Sequence, residues 1–417
     1  MHETCHPEPR KPKPEHRILK ALGALKLRDF RLFYGALLGT SMGFQLQRTL
    51  ELWLIYELTE SALFLGLMGL VRGVPTFVFS LVGGVVADRV ERRRLVIAVH
   101  ILNASIAATL GLLALSGLIQ VWHLYLGAFV NATLTAAGGP TRMAMIPGLV
   151  PRELFVNAFA HMSSARKLSQ VMGPALGGLL IATVGSGWTY GVTCGIYVVA
   201  IYLLVRVRYV SGALDKKQSP VKSLLEGISF IRRTPLIRVV LLMEFIAVYF
   251  GSYRALLPIF AAALGLGPEG FGFLLSAPAF GSLLAVGVVM FIGNIRYKGL
   301  FVAFSAMVYG VCMFGLALSQ TFLLSVVMIF LLGFFDAFQS VMRTVIIQSM
   351  TPDNLRGRAS SFQRMLGVGG PSLGEAQSGA LASWLGAPLT LLVTGVLCIG
   401  LTAGLIVRRT DLRAAEL

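Results

Sequence analysis

Apolar residues in this chain fall into long runs, not at the three- and four-residue intervals of a surface helix. Each run is near the roughly 20 residues that a helix needs to cross a hydrocarbon core. The runs lie at 30–56, 62–87, 95–116, 121–145, 160–184, 187–206, 237–264, 270–292, 299–318, 322–347, 360–384 and 388–407. The pattern predicts an all-α membrane protein with twelve transmembrane helices. Composition agrees, since 56% of the 417 residues are hydrophobic and 13% charged, where soluble domains hold about 25% charged residues. The 46 glycines fit this reading, because small residues let helix backbones approach closely in lipid.

A formal net charge of +17 raises the question of nucleic acid, and the placing of the charge answers it. The connections 57–61, 116–120, 185–188, 265–269, 319–321 and 384–387 hold no Lys or Arg. The alternate ones hold Arg89, Arg92, Arg93 and Arg94; Arg152; Lys216, Lys217, Lys222, Arg232 and Arg233; Arg296 and Lys298; Arg356 and Arg358. Short basic connections stay on the cytoplasmic side. Both termini are therefore expected inside, in a multi-pass protein of the cytoplasmic membrane whose surroundings are lipid and not nucleic acid. Residues 1–17 are polar and carry no signal-peptide pattern, and 17–28 read as a short helix on the cytoplasmic leaflet. Cys5, Cys194, Cys312 and Cys398 have no metal or disulfide spacing. The run His2-Glu3-Thr4-Cys5-His6 is the one local set of metal-ligand types, in a polar tail, and no metal or cofactor is expected.

The chain reads as a duplication. Arg142 precedes Pro151-Arg-Glu-Leu154 by nine residues, as Arg343 precedes Pro352-Asp-Asn-Leu355. Gly173-Pro174-Ala-Leu-Gly177 returns as Gly370-Pro371-Ser-Leu-Gly374, and Arg48 lies 18 residues before Gly66 as Arg254 does before Gly272. The expected organisation is a basic tail (1–28), a six-helix bundle (29–206), a cytoplasmic loop (207–235), a second six-helix bundle (236–408) and a short tail (409–417).

Between spans 2 and 3 stands Gly83-Gly84-Val-Val-Ala-Asp88-Arg89-Val-Glu91-Arg-Arg-Arg94. It resembles Gly-x-x-x-Asp-Arg-x-Gly-Arg-Arg, the cytoplasmic signature of the major facilitator superfamily. Gly173-Pro174-Ala-Leu-Gly177-Gly178 resembles the Gly-Pro-x-x-Gly-Gly motif linked with exporters. With Val150–Leu154, Asn157-Ala158 and Pro352–Arg358, the similarity covers about residues 26–408. It lies with the branch that includes macrolide-efflux proteins and the enterobactin exporter. Two departures stand out: Glu91 replaces a glycine of the signature, and span 4 lacks a mid-membrane arginine, its own Arg142 lying at the inner end. The second departure weighs against ordinary proton-antiport chemistry.

The resemblance implies two pseudo-symmetric halves, a cavity lined by spans 1, 4, 7 and 10, and a cytoplasmic gate in which Asp88 meets the start of span 11. Gly83, Gly84, Asp88 and Arg89 would form that gate, or else mark topology alone. The Gly173–Gly178 and Gly370–Gly374 motifs would be paired hinges, proline bending the helix and the glycines allowing contact across the halves.

Charges within a bilayer are costly and must face partners or water. Arg48 and Glu51 (span 1), Glu244 and Arg254 (span 7), Asp336 (span 10) and Glu375 (span 11) are therefore the candidate substrate and proton residues. Two arginines on one cavity suit a substrate with anionic or acceptor groups. The alternative is self-neutralisation, Arg48 with Glu51 and Glu244 with other partners. Glu51, then Asp336 and Glu375, are expected to carry protons, while Arg72 and Lys167 read as packing or snorkelling residues. Phe44, Trp53, Tyr56, Tyr249, Phe250 and Tyr253 form either an aromatic wall for substrate or ordinary core.

The function expected is export of an amphipathic drug or metabolite by alternating access, in exchange for protons, by a monomer. An exporter of an anionic siderophore or metabolite, and a non-transporting sensor on the same fold, are the alternatives. No Gly-x-x-x-x-Gly-Lys-Ser/Thr loop is present for ATP. His100, His123 and His161 lie apart, at span ends, so no enzyme site is expected.

Overall fold

Helix follows helix because in lipid each backbone N–H and C=O must be satisfied within its own segment. The structure, a computed structural model, describes residues 23–87, 91–209, 234–292 and 298–408. Among these residues there is no strand, and the expected runs fall on helix, the seventh with an interruption. The first four helices are α1 (Arg28–Thr59), α2 (Ala62–Ala87), α3 (Arg92–Leu115) and α4 (Val121–Met145). The helix Phe155–Arg206 is broken at Gly185, whose φ of 81° and ψ of 165° are non-helical, and so forms α5 (155–184) and α6 (186–206). Span 7 is expected as one helix and is two: α7 (Pro235–Phe250), then a tight turn at Arg254–Leu256 and a short continuation, α7′ (Leu257–Ala263). There follow α8 (Pro268–Ile292), α9 (Lys298–Ala317), α10 (Phe322–Met350), α11 (Asp353–Leu385) and α12 (Ala387–Arg408).

Seven described stretches are long and apolar enough to cross a membrane: Ala62–Phe79, Arg92–Leu115, Arg152–Arg206, Ile237–Ala263, Pro268–Ile292, Phe322–Met350 and Ala387–Leu405. The second of these runs directly into the α3–α4 turn, and the third holds both α5 and α6. The chain is thus a multi-pass membrane protein.

The backbone repeats as the sequence does. Gly386, between α11 and α12, has φ 80° and ψ 159°, nearly the values of Gly185 between α5 and α6. Glu60 after α1 and Gly265 after α7′ both take the left-handed conformation, φ 47° and 69°. Of the 17–28 segment, residues 23–28 are described. They hold a short 3₁₀ turn at Ala24–Lys26, with Ala24 buried and its N–H donated to Asn157 Oδ1 at 2.9 Å. These residues pack against the bundle, while 17–22 of the expected surface helix lie outside the described residues.

Within the first set, α1 and α3 pack on the α5–α6 helix and α2 on α4; within the second, α8 and α9 pack on α10, α9 on α12 and α7 on α11. The sets meet along two seams, α2 with α11 and α5 with α8. Both seams are made by glycine. A Cβ on Gly66 would lie 2.7 Å from Gly379 Cα, and one on Gly178 would lie 2.2 Å from the Pro268 carbonyl oxygen. Gly272 reciprocates against the Pro174 carbonyl at 2.5 Å. Gly69 and Gly73 extend the first seam toward Glu375 and Ser372. Backbones this close gain dispersion contacts that no larger residue permits.

The paired hinge motifs divide differently from expectation. Gly178 does cross between the sets, but Gly173 and Gly177 face Gln45 and Thr49 of α1 in their own set. Gly370 and Gly374 face Val248 and Tyr249 of α7 and Ser252 in the break after it. Pro174 and Pro371 sit inside helices that run on through them, so neither proline marks a break in helical backbone. Gly83 and Gly84 lie in the last turns of α2; their surroundings, together with Asp88 and Arg89, fall outside the described residues.

Replacing Gly178 by leucine should force the α5–α8 seam apart and cost about 1–3 kcal/mol. The same change at Gly195, which has nothing within 4 Å, should stay within about 0.5 kcal/mol. Thermal unfolding of both variants in detergent checks this; equal unfolding temperatures would contradict the seam.

Candidate functional site

A cavity of about 600 Å³ lies between the two sets of helices. All six ionisable residues singled out from the sequence line it: Arg48, Glu51, Glu244, Arg254, Asp336 and Glu375. So do two that the sequence reading placed elsewhere. Arg72 of α2 is expected as a packing or snorkelling residue, yet its guanidinium donates to Glu51 inside the cavity. Arg343 of α10 is known from the sequence only as one end of a repeat, and it is 2% exposed and 3.7 Å from Glu244 Oε1.

The charges neutralise one another between helices, not along them. Arg48 and Glu51 share α1 but turn to different partners. Arg48 Nη2 meets Glu375 Oε1 of α11 at 3.1 Å. Glu51, 2% exposed, takes Arg72 and also accepts from Gln47 Nε2 at 3.0 Å. Glu244 pairs with Arg343 and not with Arg254. Two of these pairs lie within one set of helices; Arg48–Glu375 crosses between the sets, beside Gly69 in the α2–α11 seam. Asn131 of α4 extends the polar lining, donating to Asn103 Oδ1 at 3.2 Å and to Gln47 Oε1 at 3.5 Å.

The described lining thus holds four arginines and four carboxylates, a formal balance of zero. Arg254 and Asp336 stay outside the three pairs, and both are exposed to the cavity. Among the described residues neither belongs to an ion pair. They are the charged groups of the described lining that no ion pair takes up.

Arg254 owes its position to the break after α7. The break frees backbone carbonyls in the interior, and side chains from neighbouring helices satisfy them. Tyr309 OH donates to the Gly251 carbonyl at 2.7 Å, and Ser378 Oγ to that of Ser252 at 2.6 Å. Gly251 and Gly374 make room, since a Cβ on Gly251 would meet Tyr309 Cε1 at 2.5 Å and one on Gly374 would meet Ser252 Oγ at 2.5 Å. Irregular backbone at membrane depth is tolerated where protein covers it or a wet cavity receives it. Discontinuous helices recur at transporter binding sites for this reason.

Of the six aromatic residues considered as a wall, Phe44 and Tyr253 line the cavity. Trp53 packs on Tyr56 and Phe271, and Tyr249 stacks on Phe245 with Phe250 edge-on. Trp53 and Tyr56 pack against the core, and all four are half-buried. Lys167 of α5 takes the packing role of the two expected: its Nζ donates to Ser282 Oγ of α8 at 3.0 Å, another bridge between the sets.

The model of a family described as transmembrane secretion effector matches residues 20–417. The enterobactin exporter EntS of Shigella boydii serotype 4 (strain Sb227) is 27% identical over 361 residues, covering 83% of this chain and 85% of that protein. EntS of Escherichia coli O1:K1 / APEC gives the same figures. Among solved structures, the nucleoside transporter NupG aligns with a TM-score of 0.72 at 14% identity, covering 91% of this chain and 98% of that one. A bacterial homologue of the human lysosomal transporter Spinster, in an inward-facing and unoccupied conformation, aligns with a TM-score of 0.72 at 14% identity, covering 93% and 98%. At such identities the two structures support the fold alone.

Glu244→Gln would leave Arg343 buried without its counter-charge and should cost about 3 kcal/mol or more. Removing both charges, Glu244→Gln with Arg343→Met, should recover most of that loss. Unfolding temperatures of the parent, single and double variants measure it; a double variant no more stable than the single would contradict the pairing.

Proposed function

Because the chain belongs to this family of transmembrane secretion effectors, a transporter family and not one of enzymes, we propose that it exports an amphipathic small molecule across the cytoplasmic membrane by alternating access. Export is in exchange for protons. The single observation carrying this reading is the Arg48–Glu375 pair, which ties α1 of one six-helix bundle to α11 of the other inside the cavity.

The two seams join the bundles at the end of the cavity that carries the charge-poor connections. On the charge rule that end is extracellular and both termini are cytoplasmic. The bundles 29–206 and 236–408 then rock about the central site, as duplicated transporter folds do. In the form with the extracellular end closed, Arg48–Glu375 holds the bundles together next to the glycine contacts. A proton on Glu375 removes the attraction, loosens the α2–α11 seam and favours opening outward. Exchange follows when the outward-open form takes that proton from outside. Closing the seam returns Glu375 to Arg48, and the restored pair expels the proton to the cytoplasmic side, so a proton moves in as substrate moves out. Glu375 is thus the coupling carboxylate in this proposal, ahead of Glu51, whose partners all belong to its own bundle. Asp336 faces the cavity opposite this system and joins Arg254 in holding the substrate. The carrier works as a monomer, with lipid around it.

A second reading within transport is an anionic siderophore or related metabolite as cargo. Arg254, open to the cavity, favours it, and relatives named as enterobactin exporters agree.

Reconstituted in proteoliposomes, with catecholates and neutral macrolides compared as substrates, the parent should transport in response to an imposed pH gradient. Glu375→Gln should lose about tenfold or more of the gradient-driven rate while still exchanging substrate across the membrane without a gradient. Gradient-driven flux at the parental rate in this variant would overturn the coupling role.

A further inference from the structure

A second cavity, of about 180 Å³, lies entirely among the first six helices. It borders the central one, sharing Phe44, Thr135 and Gln170 with it. Its charged lining differs in kind from that of its neighbour. Arg142 from the end of α4 and Arg166 from α5 both face it, and no Asp or Glu is among its described lining residues. Among the described residues neither arginine belongs to an ion pair. The two guanidiniums are near enough to repel one another.

The remaining polar groups are of a matching type. His100 of α3 is 4% exposed, faces the cavity, and its Nδ1 has no hydrogen-bond partner. It is held in place by stacking on Tyr197, with ring centroids 6.3 Å apart. The sequence alone places His100 near a span end without a role, whereas the fold brings it to Arg142 and Arg166. Gln45, Gln170 and Ser41 add neutral donors. The side-chain carbonyl oxygen of Asn103 is already engaged by Asn131.

Arg142 is half-buried and Arg166 exposed, and two like charges lining one small pocket attract a group of opposite sign. Elsewhere in this protein a carboxylate supplies it: Glu375 for Arg48, Glu51 for Arg72, Glu244 for Arg343. Here the described lining supplies none. Guanidinium groups match the paired oxygens of a carboxylate or other planar oxyanion bidentately, and a neutral imidazole can add a third donor. We propose that this cavity is an anion subsite that takes the carboxylate or catecholate end of the exported molecule, the body of which lies in the central cavity. The inference rests on the central cavity being the substrate site. It adds to that reading a substrate class: a molecule with an acidic head on an apolar or mixed body. The same chemistry would accept a lipid phosphate, and the test separates the two sources.

The full chain, purified in detergent, is titrated with benzoate and with the neutral isostere benzamide, binding being followed by equilibrium dialysis. Benzoate should bind once per chain and benzamide about tenfold or more weaker. Arg142→Gln and Arg166→Gln should each weaken benzoate by about the same factor, with the corresponding lysine variants keeping part of the affinity. Without ligand, neither glutamine variant should unfold at a lower temperature than the parent, because each relieves a like-charge repulsion. Repeating the titration in nanodiscs of phosphatidylcholine and of phosphatidylglycerol should give the same benzoate affinity. Equal binding of benzoate and benzamide, benzoate binding untouched in both glutamine variants, or a marked loss of stability in both would overturn the subsite. Displacement of benzoate by phosphatidylglycerol would overturn its assignment to substrate and give it to lipid. Binding is read without transport, so a failure of proton-coupled export leaves this result standing, and the reverse holds too.

Discussion

A charge buried in a membrane protein must find its opposite, and in this chain it finds it on a different helix. Each of the three buried ion pairs therefore fixes two helices relative to one another as well as neutralising a charge. Arg72–Glu51 sets α2 against α1, and Arg343–Glu244 sets α10 against α7. Arg48–Glu375 alone among the described pairs spans the two bundles. It stands where α2 and α11 touch through glycine, so an electrostatic tie and a close-packed seam act at the same place. Packing of this kind is bistable: backbones in contact through glycine are either together or apart. In the proposed mechanism the ion pair is what biases that choice.

The broken seventh helix complements this arrangement. Interruption at Gly251–Tyr253, with the freed carbonyls capped by Tyr309 and Ser378, holds Arg254 at the cavity surface. Nothing comparable occurs in α1, where Arg48, at the equivalent place in the repeat, sits on continuous helix and is taken by Glu375. The two equivalent arginines thus differ in surroundings: Arg48 is paired across the sets of helices, and Arg254 is exposed in the cavity.

Much of this was legible in the sequence, for identifiable reasons. Runs of apolar residues give helix ends because lipid tolerates little else, and all six ionisable residues expected in the cavity line it, because a charge in a span has few other places to go. The equivalence of Gly66 and Gly272, a weak signal in the sequence, identifies one glycine of each seam. Partnerships were not legible. Spacing reports which residues share a face of one helix, and Arg48 with Glu51 satisfy it, yet their partners come from α11 and α2. Arg72 and Lys167 read as packing or snorkelling residues, and only the neighbouring helix shows what each one meets. The break in span 7 is hidden because its residues stay apolar on both sides. His100, Arg142 and Arg166 lie 42 and 24 residues apart in the chain, and only the fold shows them to be neighbours.

The central claim, that protonation of Glu375 releases the two bundles at the glycine seam, is tested most directly by distance. Spin labels on the extracellular ends of α2 and α11 report their separation by double electron–electron resonance in nanodiscs. The account predicts a short distance at neutral pH, a longer one on acidification, and the longer one at all pH values in Glu375→Gln. A separation that stays the same with pH in the parent, and the same again in the variant, would contradict it.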